Sequence, residues 1–354
     1  MITIGSDVHL RTSTMTVLDH DGTRLVRKKI DNEPDALRGF IRRFEGPKQF
    51  AMETCYTWPV MYELLKDEVD KFHLLHARRL KAIVESQSKC DAHDADAIAH
   101  LTHLGYIPAA YTAPAETRQF RRLLRTRVGL SLEIARSKNR IHALLNANTF
   151  YCERPKTFKD LFCKRGLAYL ETVPLPAQER FIVKETLKKI RFLEKLRVAF
   201  DRRIDESGFR SDELALLETA PAMRGRILKY IVLSEIDNVA RFRNSHAIVA
   251  YAGLVPRDRS SAEKNRKGHL RTDANPFLKW ALIEAAIPAL RQDKSLWQYY
   301  KAVKLRSNAS SARIAVARKL LISIYHVLKE RRPYYYQKPT PPIAHKPPLP
   351  LSRT

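Results

Sequence analysis

The chain has 354 residues, 64 of them Lys or Arg against 38 Asp or Glu, giving a formal net charge of +26, and 44% of it is hydrophobic. That length and hydrophobic content suit a globular protein of two or three domains, and no apolar run approaches the roughly 20 residues of a membrane-spanning helix. A cationic excess of this size favours a polyanionic partner, with nucleic acid ahead of an anionic membrane. The opening MITIGSDVHL lacks the layout of a signal peptide, and Cys55, Cys90, Cys152 and Cys163 show no C-x-x-C spacing. A cytoplasmic protein with neither a disulfide framework nor a zinc knuckle is therefore expected.

In chain order, MITIGSDV (1–8) and TMTVLD (14–19) read as short strands, TRLVRKKI (23–30) as a third behind the turn DHDG, and KQFAMET (48–54) and KFHLLH (71–76) as two more. EPDALRGFIRRFE and TWPVMYELLKDE, with apolar residues three and four apart, read as the helices that separate the last three of these strands. Three strands, then helix, strand, helix, strand is the order of a ribonuclease H-like sheet. Residues 1–110 are thus expected to form an α/β domain of that class, followed by an all-α remainder.

From Thr117 to Leu145, Phe120, Leu123, Leu130, Ile134, Ile141 and Leu144 take a and d positions of a heptad, interrupted by Arg127 and Ser137. The same span holds eight Lys/Arg and one acid, Glu133. Either this is a solvated helix of a bundle, or its cationic face, with Arg118, Arg121, Arg122 and Arg125, also touches phosphates; so one-sided a charge favours the second. Lys184 to Arg203 repeats the theme as a returning antiparallel helix, so residues 111–210 read as a basic helical coiled-coil linker. Residues 211–332 read as a further helical domain. The tail, residues 333–354, has seven prolines and reads as extended or disordered.

Asp7 ends the first strand and Glu53 ends KQFAME; if those strands are neighbours, both carboxylates stand at one sheet edge. Asp91 and Asp94 are three apart, about one helical turn, whereas Asp96 points elsewhere. Taken alone, the aspartates of SKCDAHDADAIAH are a solvated first helical turn favoured by the helix dipole. Together with Asp7 and Glu53 they suggest four convergent carboxylates, an oxygen-only set suited to Mg²⁺ or Mn²⁺ and to two-metal phosphodiester cleavage. A transition-metal site on Asp96, His100 and His103, which share a face, lacks a fourth ligand. Further on, RDRSSAEKNRKG sets Arg257, Arg259, Lys264, Arg266 and Lys267 around Ser260 and Ser261; alone it reads as an ordinary basic loop. Asn275 and Pro276 mark the N-cap and first position of a following helix, whose N-terminus suits a phosphate.

Strand-Asp, strand-Glu and then K-x-D-x-x-D-A (Lys89, Asp91, Asp94, Ala95) resembles the DEDD domain of the insertion-sequence one-ten family of transposases. EIDNVARFRNSHAIVAYAGLVPRDRSS, followed by GHLRTDANPFLKWALIEAA, is similar to that family's carboxy-terminal transposase domain. The resemblance implies a recombinase joining a Holliday-junction-resolvase-like domain to a helical domain with a nucleophilic serine. It implies DNA and a structured bridge RNA as partners, a dimeric or tetrameric assembly, and a prokaryotic, nucleoid-associated location. By position, Asp7, Glu53, Asp91 and Asp94 become the metal-binding catalytic carboxylates. The nucleophile falls on Ser260 or Ser261, with Ser261 preferred, although Ala262 stands where the family usually has Gly. In TAPAMRGRI, Ala222 and Arg224 replace the two glycines of a family turn, and Arg224 and Arg226 could offset that loss by charge. The competing readings are a metal-dependent nuclease or junction resolvase without a covalent intermediate, and an inactive nucleic-acid binding protein.

Overall fold

The computed structural model describes residues 1–83, 91–148, 160–261, 264–270 and 274–335, with side chains except those of residues 81–83, 91, 92, 226, 256–261 and 264–270. Lys89, Ala262 and the Pro-rich tail from residue 336 onward lie outside the described residues. The chain forms two compact units, Met1–Ala113 and the remainder from Pro114.

In the first unit, β1 (Ile2–Val8), β2 (Thr12–Leu18) and β3 (Arg24–Asp31) precede α1 (Pro34–Arg42), β4 (Lys48–Glu53), α2 (Trp58–Leu65), β5 (Lys71–Leu75), α3 (Ala77–Ile83) and α4 (Asp91–His103). The sheet is mixed, in the order β3-β2-β1-β4-β5. β1 pairs antiparallel with β2, Gly5 facing Thr16 and Asp7 facing Thr14, and parallel with β4 from Ile2↔Lys48 to Ser6↔Met52. Residues 3–8 of β1 and 13–18 of β2 are buried without alternation, because helices cover both faces. On one face Ile4, Val8, Phe50 and Met52 pack with Leu37, Ile41, Met61 and Leu65 of α1 and α2. On the other, Ala51 and Leu75 pack with Ile98 of α4. The edge strand β3 is largely exposed, and its lysines and arginines guard that edge against pairing with another chain.

α4 approaches the sheet more closely than any side chain on β1 would allow. A Cβ on Gly5 would lie 2.3 Å from the backbone N of Ala99, 2.6 Å from its Cα and 2.7 Å from the carbonyl of Ala95. The absent side chain on the strand and two alanines on the helix make that approach possible. Its direction follows from two contacts. Asp96 accepts a 2.6 Å hydrogen bond from Thr16, level with Gly5. His103, seven residues on, abuts Gly22 in the β2–β3 turn. α4 therefore runs antiparallel to β1, with its N-terminus toward the strand's carboxyl end.

The second unit begins with α5 (Ala115–Ala147), then α6 (Lys164–Thr172), α7 (Ala177–Asp205), α8 (Ser211–Glu218), α9 (Arg226–Ile236) and α10 (Ser245–Tyr251). A hairpin of β6 (Pro256–Ser261) and β7 (Lys264–Leu270) follows, then α11 (Pro276–Gln292), α12 (Lys294–Arg306) and α13 (Ala309–Lys329). α7 returns antiparallel along α5, as the Arg127–Asp201 (2.7 Å) and Lys138–Glu194 (3.7 Å) pairs require. α5 serves two cores. Phe120, Leu124 and Val128 join the core of α8 to α13, while Ile134, Ile141 and Leu145 join that of α6 and α7. Arg127, at a heptad a position, is accommodated by a forked pair of bonds to Asp201, 2.7 and 3.1 Å. The segment read as a basic loop is instead the β6–β7 hairpin.

Candidate active site

Side chains alternate across a strand, so the packing of β1 and β4 fixes where their last carboxylates stand. Gly5 faces α4, and so does Asp7 two residues on. Ala51 packs with Ile98 of α4, and Glu53 shares its face. A hydrogen bond from Gln49 to Thr3, 2.9 Å, ties the same face across the two strands at their other end. The parallel register reaches Ser6↔Met52, one step short of Glu53, the last residue of β4, and Asp7, the last but one of β1.

The start of α4 reaches the same place. At about 3.3 Å per strand residue, Asp7 lies roughly 6.6 Å beyond Gly5, or some four to five helical residues at 1.5 Å each. Counted back from the Ala95–Ala99 turn that rests on Gly5, this level falls between Asp91 and Asp94. Asp7 is 8% exposed, and His9 places Nε2 3.2 Å from its Oδ2. Glu53 is half-buried and Asp94 exposed; Asp91 is the first residue of α4 and its side chain lies outside the described set.

Asp96 belongs to a different network. Besides Thr16, it accepts from Arg27 at 2.7 Å and Arg24 at 3.2 Å, which latches α4 to β2 and β3. With that carboxylate engaged, a transition-metal site on Asp96, His100 and His103 loses its oxygen ligand. Among the described residues, the compact group of potential ligands is Asp19, His20 and Asp21 in the β2–β3 turn. There Asp19 Oδ1 already accepts from the backbone N–H groups of Asp21 (2.9 Å) and Thr23 (2.8 Å), the role of a turn staple rather than a ligand.

In the second unit the hairpin register sets Ser261 opposite Lys264, Ser260 opposite Asn265, Arg259 opposite Arg266 and Asp258 opposite Lys267. The side chains of Arg257, Arg259, Ser260, Ser261, Lys264, Arg266 and Lys267 lie outside the described set. The base of the hairpin is well fixed. Asn275 donates its backbone N–H to the Tyr251 carbonyl at 2.8 Å, caps α11 through Oδ1 to the N–H groups of Phe277 and Leu278, and donates Nδ2 to Glu235 at 2.8 Å.

Glu235, 2% exposed, is the hub of this region and a residue that sequence reading passed over. Arg125 grips it through Nε and Nη2 at 2.8–3.0 Å and lays its guanidinium 4.6 Å from the Phe277 ring. Arg121 donates to the Ser234 carbonyl at 2.7 Å. Of the arginines expected to touch phosphates, Arg121 is turned inward to carbonyls at the end of α9, whereas Arg125, though tied to the buried acid, keeps an exposed side chain. Of the four, Arg118 is half-buried and Arg122 exposed. Composition showed a cationic helix but not its anionic partner 110 residues away.

The turn before α9 is also informative. Ala222 adopts φ +62°, the left-handed region that favours glycine, and its N–H is held by Gln292 at 2.8 Å. Arg224 is exposed; the Arg226 side chain lies outside the described set.

Comparison with known proteins gives two family matches. Residues 4–149 match a transposase family of the IS110 DEDD type, and residues 214–301 match the Transposase IS116/IS110/IS902 family. The first span takes in the carboxylate end of the sheet; the second takes in Glu235, the hairpin and Asn275. A probable family 20 transposase of Pseudomonas aeruginosa is 26% identical over 262 residues, covering 72% of this chain and 75% of the relative. No helix among the described residues is long and apolar enough to cross a membrane.

Proposed function

The chain belongs to the IS110 family of transposases, and from that membership we infer that it is a DNA recombinase that moves an insertion sequence by metal-assisted, serine-dependent strand cleavage and exchange, guided by a structured bridge RNA. The observation that carries the reading is the meeting of Asp7, Glu53 and the start of α4 at one end of the sheet, in the strand order expected of a ribonuclease H-like fold. In this reading Asp7, Glu53, Asp91 and Asp94 are the catalytic carboxylates. They form a hard, all-oxygen donor set that fits Mg²⁺ or Mn²⁺. Such ions, when bound, neutralise the developing charge on a transferring phosphate.

The chain's own residues supply the rest. The Ser261 hydroxyl attacks phosphorus; the Oγ–P bond forms, the P–O bond to one deoxyribose breaks, and the serine proton is lost as the leaving oxygen gains one. The phosphoserine ester keeps the bond energy for rejoining. Ser261 is preferred to Ser260 because its register position belongs to the alternating set of Arg259, Lys264 and Arg266, whereas Ser260 alternates with Asp258, Asn265 and Lys267. Cations favour the extra charge of the attacked phosphate. Arg257, Arg118 and Arg122 extend the cationic surface, and a net charge of +26 suits a protein that gathers both DNA and RNA. The same reading makes the protein a prokaryotic, cytoplasmic, nucleoid-associated dimer or tetramer.

The test is a strand-exchange reaction with element-end DNA and the RNA encoded beside it. Asp7→Asn should abolish product while leaving nucleic-acid binding intact. Ser261→Ala should remove a protease-sensitive protein–DNA adduct that Ser260→Ala retains. Free DNA ends with no adduct would identify a hydrolytic nuclease, and recombination by the double serine variant would place the nucleophile elsewhere.

A further inference from the structure

α12 carries Lys294, Lys301, Lys304 and Arg306 and no acid. Its residues Lys294, Trp297, Lys301 and Lys304 recur three or four apart and form one outward stripe. Trp297 is 44% exposed although tryptophan is a costly side chain to leave in water, and Lys301 rests its ammonium 3.5 Å from the centre of the indole ring. Beside the stripe is a cavity of about 340 Å³ lined by Leu290 of α11 and by Lys294, Trp297 and Gln298. None of these residues has a part in the strand-cleavage chemistry.

We propose that this cavity holds an unpaired nucleobase of a single-stranded nucleic acid, stacked on Trp297, with the neighbouring phosphates on Lys294, Lys301 and Lys304. Each wall matches one part of a nucleotide. Leu290 and Trp297 supply apolar surface for a flat ring. Gln298 completes a lining that is almost wholly apolar, as a stacked ring requires. Lys294, exposed and in the lining, supplies a charge for the adjoining phosphate. A volume of this size lies at the small end of ligand pockets, in keeping with one base rather than a larger molecule. The Lys301 contact does not block the site: an exposed cation–π contact is worth roughly two- to fivefold in affinity, a stacked base roughly five- to a hundredfold. The base therefore displaces the ammonium, which moves to a phosphate. A second copy of this chain is the weaker occupant, because two such stripes meeting face to face would bring like charges together.

The experiment uses the full chain and a short oligonucleotide carrying one 2-aminopurine, made single-stranded as RNA and as DNA and also annealed to its complement. The expected result is quenching of 2-aminopurine on binding by the single-stranded forms, lost in Trp297→Ala together with about tenfold of affinity and partly restored in Trp297→Phe. Duplex affinity should not change. Lys304→Gln should reduce the dependence of log K on log salt by about one phosphate contact, and Trp297→Ala should leave that slope unchanged. If RNA alone shows the Trp297 effect, the base belongs to an RNA; if DNA alone shows it, to an opened DNA strand. Equal losses on single-stranded and duplex forms, or unchanged single-strand affinity in Trp297→Ala, would overturn the proposal. A shift of oligomeric state in Trp297→Ala with unchanged quenching would give the face to a second copy instead.

Discussion

Asp293 shows how a single buried acid is made useful. It is 1% exposed, it caps α12 by accepting from the N–H groups of Ser295 and Leu296 at 2.7 and 3.1 Å, and its other oxygen takes the Tyr334 hydroxyl at 2.6 Å. Burial pushes its pKa up, but the bonds from Tyr334, Ser295 and Leu296 prevail and hold it below the usual carboxylate range. A group with a depressed folded pKa contributes stability above its unfolded value, about 3.9 for Asp, and loses it as pH falls through the lower folded value. Asp293→Asn is therefore expected to cost about 1–2 kcal/mol at neutral pH. The gap to the parent should narrow as pH drops below about 4, as thermal melts at both pH values would register. Single residues were unevenly legible in the sequence. Asn275 and Pro276 announced their cap, because capping is a local affair. Arg121 misled, because a guanidinium's partner is set by a fold that brings the carbonyls of Ser234 and Glu235 to it. Ala222 stands where the family resemblance puts a glycine, and its φ of +62° shows the backbone keeping the left-handed conformation a glycine would relieve.

The elements were more legible than their contacts. Five strands and two helices of the first unit could be read from alternation and helical spacing; β4 ends at Glu53, and β1 runs one residue past Asp7 to Val8. The heptads of α5 located its buried side, yet Leu124 and Leu145 are buried where Leu123 and Leu144 are only partly so; a straight helix drifts from a strict seven-residue repeat by about 20° per heptad. The β6–β7 hairpin was illegible because PRDRSS and KNRKGHL contain none of the β-branched or aromatic residues that favour strands. Gly5 carried no signal in one dimension, but it sets the distance between β1 and α4. Gly5→Ala is expected to cost about 1–3 kcal/mol by overpacking, since the atoms nearest the new methyl are backbone atoms of α4, which cannot swing aside. Hydrogen exchange should show lost protection in α4 and β1 before α1 and α2, and equal protection throughout would mean the helix can shift without cost.

Across the second unit, Glu235 joins segments distant in sequence. Arg125 belongs to α5, Glu235 to α9, and Asn275 to the cap of α11 at the foot of the hairpin. Glu235→Gln keeps the shape but removes the charge that Arg125 answers. It is expected to cost about 1–3 kcal/mol, short of the full penalty for a wholly buried pair because Arg125 is partly solvated. Its effect on the hairpin should appear as faster proteolysis between residues 256 and 270. Cleavage at the parent rate would separate Glu235 from the hairpin's anchorage.

The placement of the acidic end also bears on the order in which the chain is made. β1, β2 and β3 can pair as soon as they leave the ribosome, since their partners are adjacent. β4 joins β1 later, across α1, and α4 can settle on Gly5 only after Asp91 to His103 have followed. A nascent chain stopped before Asp91 holds Asp7 and Glu53 without the helix that completes their surroundings. The acidic end of the sheet is therefore completed only when α4 emerges, while the whole second unit has still to be made.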